Sequence, residues 1–268
     1  MTRKYAVLLS LVVLVFMVAT ANAQYARIAD IVSTNHNMSS TGPNSISGMK
    51  AVSNTQICYY CHSPHPEQNT TDTAVTTAPN GQTPLWNHYL SSTASYGVYS
   101  SPSFDAFGTD IADVGGATAG SATVTNLCLS CHDGTVGINT LYKGEYVSAT
   151  QTLISPNFGG GNNVASLIGA TAASEGAVID NLAHVHPVNF TYNATLAAKS
   201  ASLVIPAPHA TLGGSTTGVS TSSGKFLPLF AGKMQCASCH EVHSNSAGRP
   251  FLRASTTGSE ICLGCHGK

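Results

Sequence analysis

Two stretches near the end of the chain share one pattern: Cys236-Ala237-Ser238-Cys239-His240 and Cys262-Leu263-Gly264-Cys265-His266. Residues 58–62 and 128–132 repeat the same C-x-x-C-H pattern upstream. This pattern is the attachment signature of c-type haem, in which both thiols bond to the haem and the histidine can ligate its iron. The four patterns therefore predict four covalently bound haem c groups.

The predicted haem ligands are thiols and proximal histidines. The thiols are Cys58, Cys61, Cys128, Cys131, Cys236, Cys239, Cys262 and Cys265, and the proximal histidines are His62, His132, His240 and His266. These thiols account for all 8 cysteines of the chain. Disulfides are an alternative in an exported protein, and zinc is an alternative for C-x-x-C pairs. Neither explains a histidine after every pair, so haem is favoured.

The N-terminus has the features of a secretory signal peptide. Basic residues precede an apolar run over residues 5–19, and Ala21-Asn22-Ala23 supplies small residues for cleavage. We predict a signal peptide over residues 1–23 and one tetrahaem cytochrome c domain over residues 24–268. A membrane anchor is the alternative, but the run is short for a span. We expect a secreted chain without a membrane span, extracellular or at the cell surface, with the periplasm as the alternative location.

Composition and periodicity indicate a loop-rich protein. Charged residues make up only 9% of the chain and the formal net charge is -1, which gives no support for nucleic-acid binding. Neither helical nor strand periodicity is sustained. We therefore expect a mostly irregular fold with short helices and few short strands, built around four stacked c-type haems. Removing the haems is expected to remove the fold, as metal removal does in small metal-dependent domains.

Surplus histidines predict a second axial ligand for each iron. The chain has 11 histidines, of which four lie in the motifs. His65 and His243 each lie three residues after a proximal histidine, too near it to face the same iron from the opposite side. Each is therefore placed to reach a neighbouring haem. His186, before Pro187 and between apolar residues, is expected to be buried and oriented, with His184 as its competitor.

Methionine is the rival axial ligand. After residue 23 the chain offers only a few methionines for four haems: Met38, Met49 and Met234. Bis-histidine ligation at most or all of the haems is therefore expected.

Several short stretches, some of which contain the C-x-x-C-H motifs, also form a familiar set. They are His36 to Ser40, Ile57 to His65, Pro84 to Asn87, Leu127 to Val136, His186 to Val188 and Cys236 to His243. With the doubled motif, they resemble the OmcE-like tetrahaem cytochromes c, which assemble into extracellular conductive filaments. The inserts at 67–83 and 134–183 carry no distinctive pattern.

The resemblance implies bis-histidine haems in a continuous stack, with one axial histidine donated by an adjacent subunit. It implies a distal ligand set of His36, His65, His186 and His243. We hypothesise that His36 is the donated ligand, because His36 and His266 lie near opposite ends of the chain, where a head-to-tail contact could use them. Such a contact does not close, so it predicts a homopolymeric filament.

Six-coordinate haems leave no open iron position for a substrate, so the predicted function is electron transfer and the protein is not expected to be an enzyme. The expected partners are other multihaem cytochromes and extracellular electron acceptors. A discrete periplasmic tetrahaem shuttle is an alternative that no residue excludes. A multihaem reductase is a further alternative, which needs a five-coordinate haem and is disfavoured by the surplus histidines.

Overall fold

A computed structural model provides the fold of this chain. The residues that it describes are 31–43, 54–62, 86–88, 93, 95–106, 123–133, 141, 182–183, 185–211, 214–244 and 251–267. Three predicted features lie outside the described residues: the signal peptide, the ligand His65, and His184, which is the competitor of His186.

Helices in the described residues are short, and every haem motif contributes to one. A 3-10 helix covers Ile57–Tyr60, α1 covers Val124–His132, α2 covers Ala194–Ala197, α3 covers Cys236–Cys239, and a 3-10 turn at Thr257–Ser259 leads into α4, Glu260–Leu263. Thr123 caps α1, since its hydroxyl accepts a hydrogen bond from the Asn126 amide. The Ser238 hydroxyl likewise accepts from the Gln235 amide at 3.0 Å, which fixes the first turn of α3.

The strands form two small antiparallel sheets. Strands β1 (Phe190–Thr191) and β5 (Lys233–Met234) pair with each other. Strands β2 (Ala207–Thr211), β3 (Gly214–Ser220) and β4 (Phe226–Leu229) form a sheet in the order β2-β3-β4. The β3–β4 register places Val219 opposite Leu227, so the apolar side chains of the two strands meet on one face.

One apolar cluster joins both sheets, α2 and the fourth haem motif. Its buried members are Phe190, Tyr192, Leu196, Ala197, Val219, Leu227, Leu229 and Met234. Ile261 and Cys265 of the last motif pack against it. Tyr192 Oη also donates to Val204 O at 2.6 Å, and the Val204 amide donates to Cys265 O at 2.9 Å. The cluster therefore seats the fourth motif. Met234 is a core residue in this cluster.

A buried polar side chain holds the second and third motifs together. Gln235 Oε1 accepts from the amide of Thr125 at 3.2 Å and from the Thr125 hydroxyl. Gln235 Nε2 donates to Asn189 Oδ1 at 3.0 Å. Thr125 lies in the first turn of α1, and Gln235 directly precedes α3. The packing of α1 against α3 is thus set by hydrogen bonds that a wholly apolar contact would not fix.

The prediction of a loop-rich fold with short helices and few short strands is confirmed. The stacking of four haems remains a prediction. Within the described part of the chain, no helix combines the length and the apolarity needed to cross a membrane.

Candidate haem sites

Each haem motif presents its thiols and histidine from one tight turn. In three motifs the histidine amide donates to the carbonyl of the first cysteine, at 2.8 Å for His62, 3.0 Å for His240 and 2.8 Å for His266. The remaining motif, residues 128–132, lies inside α1. This bond spans one helical turn, so the cysteine and the histidine lie on the same side of the backbone. The local geometry suits attachment of one planar group to each motif.

No disulfide joins any of the eight cysteines in the structure. Thiols of the first three motifs interact across motif boundaries. A hydrogen bond between the Cys128 and Cys236 side chains, together with burial, raises the pKa of Cys128. Burial raises the pKa of Cys131 to about 12, with a further contribution from Cys61. The second motif therefore lies between the first and the third.

Thiols of the third and fourth motifs also interact with each other. Burial raises the pKa of Cys239 to about 11, and Cys262 of the fourth motif contributes to the rise. Burial also raises the pKa of Cys265 to about 12, with Cys239 as the next cause. The third and fourth attachment points therefore also lie near each other.

Two pairs of histidines from distant parts of the chain face each other. The ring centroids of His36 and His132 are 6.0 Å apart with an interplanar angle of 74°. Those of His62 and His243 are 6.1 Å apart with an angle of 20°. Each pair combines one proximal histidine with one histidine of the predicted distal set.

The separation within each pair fits a metal ion between the rings. Two imidazoles on opposite sides of one metal, each bonded through nitrogen at about 2 Å, have ring centres about 6 Å apart. Among the described residues, no group of three or more His, Cys, Asp or Glu side chains could hold a metal ion by itself. Two imidazole ligands at this spacing would suit an iron whose other ligands come from a macrocycle.

Unsatisfied polar atoms beside these pairs also fit a bound group. His36 Nδ1 and Trp86 Nε1 are buried without a hydrogen-bond partner, and the Trp86 ring lies edge-on to His62 at 6.2 Å. A buried polar atom without a partner costs about 1–3 kcal/mol. A cofactor that carries both a metal and carboxylate acceptors could offset this cost.

His36 has the protonation state that a ligand requires. Burial lowers the pKa of His36 to about 4, with smaller contributions from His132, His243 and His240. The ring is therefore neutral at neutral pH, with a nitrogen lone pair free to bind a metal. Phe251 stacks on the other side of this ring at 4.4 Å, so the imidazole is oriented before any metal binds.

The hypothesis that His36 is donated to a neighbouring subunit stays a prediction. Within the chain, His36 lies beside His132. The sequence could not reveal this contact, because the two residues are 96 positions apart (132 − 36) and local patterns do not relate residues at that separation.

His186 departs from its expected burial. Its side chain is exposed, with Nδ1 2.9 Å from Pro187 O. The flanking Val185 and Val188 pack instead against the cluster of Tyr96, Leu129 and Leu182 beside α1. The apolar neighbours therefore anchor the backbone and leave the imidazole outside.

The other histidines differ widely in burial. His240 and His266 are exposed in the described structure, as is His209, which stacks on Phe226 at 4.1 Å. His88 is almost completely buried, at 1% exposure.

Two charged residues near His243 were missed by the sequence reasoning. Glu241 Oε1 lies 3.1 Å from His243 Nδ1, and Glu241 Oε2 accepts from Arg253 Nη1 at 2.8 Å. Burial opposes ionisation of Glu241, but the hydrogen bond from His243 and the charge of Arg253 outweigh it and lower the pKa to about 2. A carboxylate two residues before a candidate ligand histidine is the signal that could have found this pair.

The comparison with known families agrees with these motifs. Residues 228–268 match the family described as Doubled CXXCH motif. The match supports a multihaem c-type cytochrome. The doubled motif indicates covalent haem c binding and, with it, an electron-transfer cytochrome. A search of curated proteins finds no match to the chain.

Proposed function

We propose that this protein transfers electrons through four haem c groups, each ligated by two histidines. The observation that carries the proposal is the pair of imidazole couples, His36 with His132 and His62 with His243, at the spacing of ligands on one metal. Bound haem supplies one-electron iron chemistry. Two imidazoles on each iron would leave no position for a substrate, so the protein is not proposed to be an enzyme.

The order of the thiol contacts supports electron transfer along a row. Cys61 and Cys131, Cys128 and Cys236, and Cys239 and Cys262 interact between successive motifs. Thioether attachment at neighbouring thiols would hold successive haems near one another. We therefore propose a path for electrons that follows the motifs in chain order.

Ligand variants test the pairing in the purified holoprotein. We expect four haems per chain and an entirely low-spin spectrum in the wild type. His36→Ala and His243→Ala should each convert one haem in four to high spin, because each removes one axial ligand. His209→Ala is the matched control, since that exposed ring stacks on Phe226, and it should stay low-spin. Fully low-spin spectra for both distal variants would contradict the pairing.

We further propose that the protein is secreted and forms an extracellular conductive filament, a homopolymer that passes electrons to other multihaem cytochromes and extracellular acceptors. The resemblance to OmcE-like cytochromes supports this proposal. His36 lies beside His132 within the chain, so the exposed His186 is a second candidate for the histidine donated between subunits. Electron microscopy of material shed into the medium tests for filaments. His186→Ala should give chains that bind haem but do not polymerise.

Two other functions give different outcomes in these experiments. A discrete periplasmic shuttle predicts a monomer by light scattering with every haem low-spin, and fractionation would find it inside the outer membrane. A reductase predicts a high-spin haem in the wild type that binds carbon monoxide when reduced. The paired imidazoles favour electron transfer over the reductase.

A further inference from the structure

An ion pair between two partly buried side chains lies next to His243. Glu241 binds in two directions: Oε1 lies 3.1 Å from His243 Nδ1, and Oε2 accepts from Arg253 Nη1 at 2.8 Å. The Glu241 and Arg253 side chains are only 16% and 17% exposed, whereas the His243 side chain is 52% exposed. The ion pair is thus less exposed than the imidazole, which lies beside the ring of His62.

Arg253 ties this ion pair to the third haem motif. Its Nε donates to Ala237 O at 2.8 Å, inside α3, and its backbone amide donates to Cys239 O at 2.9 Å. The Glu241 amide donates to Phe251 O at 2.6 Å. Residues 239–241 and 251–253 therefore run side by side and fix both charged side chains. A planar guanidinium suits this role, because its separate N–H groups can bind a carbonyl and a carboxylate at once.

Ligation of iron places two requirements on His243. One ring nitrogen must carry no proton, and the ring must stay aimed at the site opposite His62. A carboxylate that accepts the Nδ1 proton meets both, since it fixes the tautomer with Nε2 unprotonated and stops rotation of the ring. An imidazole that is half exposed would otherwise sample several rotamers.

We propose that Glu241 and Arg253 are positioning residues that orient His243 as the distal ligand of the haem attached at Cys58 and Cys61. The inference rests on the proposed function, because it assigns partners to one of its ligands. It also couples two haem sites. Arg253 is held by Ala237 of the third motif, whereas His243, which Glu241 and Arg253 orient, would serve the haem of the first motif. Loss of the third attachment should therefore loosen the distal ligand of the first haem.

The test compares substitutions that keep or remove the hydrogen bond. In Glu241→Ala the distal ligand should bind roughly 10- to 100-fold more weakly, the range typical for loss of an outer-shell partner. It should be measured as a high-spin fraction and as easier displacement of His243 from the iron by added imidazole or cyanide. Glu241→Gln keeps an oxygen acceptor and should lie between Glu241→Ala and the wild type. Arg253→Ala should resemble Glu241→Ala, with partial rescue by Arg253→Lys.

A matched control and a ligand variant separate the outcomes. Glu260→Gln removes a carboxylate beside the fourth motif, one bonded to Ser223 and Thr221, and should leave displacement of His243 unchanged. If His243→Ala creates a high-spin haem but the Glu241 and Arg253 variants bind exogenous ligand as the wild type does, the positioning role is wrong and the pairing stands. If His243→Ala itself has no spectral effect, the proposed pairing fails as well.

Discussion

Asp133 is a fully buried carboxylate that directly follows the proximal histidine His132. It accepts hydrogen bonds from Tyr96 Oη at 2.5 Å and from Thr93 Oγ1 at 3.3 Å. Its charge also contributes, after burial, to the raised pKa of Cys131. The carboxylate therefore has an electrostatic effect on the second haem motif. Because it is buried, solvent screens little of its charge.

Replacement of this carboxylate should change one redox potential. Asp133→Asn keeps an acceptor for Tyr96 but removes a negative charge that stabilises ferric over ferrous iron. We expect the midpoint potential of one haem to rise by an amount on the order of tens of mV, measured by spectroelectrochemical titration. Asp105→Asn, at an exposed aspartate, should shift no potential comparably. A fall in potential, or equal shifts in both variants, would show that Asp133 does not tune the second site.

At the scale of elements, Gln235 decides how α1 and α3 pack. Gln235→Leu removes the acceptor for Thr125 and the donor for Asn189. Each buried group that loses its hydrogen bond to Gln235 costs about 1–3 kcal/mol, so we expect the free energy of unfolding to fall by about 2–4 kcal/mol. Chemical denaturation of the holoprotein measures this. Gln56→Leu makes the same change at an exposed position and should have little effect. If the two variants are equally stable, the hydrogen bonds of Gln235 do not stabilise the packing of α1 against α3.

The fourth motif depends on a glycine at its contact with β4. A Cβ on Gly264 would lie 2.9 Å from Leu227 Cδ1 and 3.2 Å from Thr221 Cγ2. Leu227 is 1% exposed and packed in the core, so it has little room to move. Gly264→Ala should destabilise the protein by about 1–3 kcal/mol, measured by thermal unfolding. Gly267→Ala, whose Cβ would meet only Val204 Cγ2 at 3.4 Å, is the control. Leu227→Val should partly relieve the Gly264→Ala defect, and its failure to do so would contradict the steric explanation.

For the whole molecule, attachment at the second motif should matter most. Its thiols interact with two other motifs, Cys131 with Cys61 and Cys128 with Cys236, whereas Cys265 of the fourth motif interacts with Cys239 of the third. Replacement of both cysteines by alanine in the second motif should therefore lower the midpoint temperature more than the same change in the fourth. Limited proteolysis and thermal unfolding compare the two. If the change in the fourth motif lowers the midpoint temperature more, the prediction is wrong, and the apolar cluster that packs against Cys265 contributes more to stability than the second motif does.

Local chemistry could be predicted from the sequence, and long-range pairing could not. The haem motifs and the short, irregular elements followed from residue types within a few positions of each other. His243 lies beside His62, a contact between distant segments that no spacing in the sequence indicates. The burial expected for His186 was wrong, because its neighbours Val185 and Val188 pack towards α1 and turn the imidazole outwards.

The sequence by itself determined the attachment chemistry, because two thiols and a histidine within one turn of backbone are sufficient to define a c-type haem motif. The tertiary structure decided which distant histidine faces which motif, and it placed Glu241 and Arg253 behind His243. Those choices arise from packing between segments that no sequence spacing relates. A surplus histidine can therefore be recognised from the sequence as a candidate ligand. Which haem motif it lies beside is determined by the tertiary contacts of the chain.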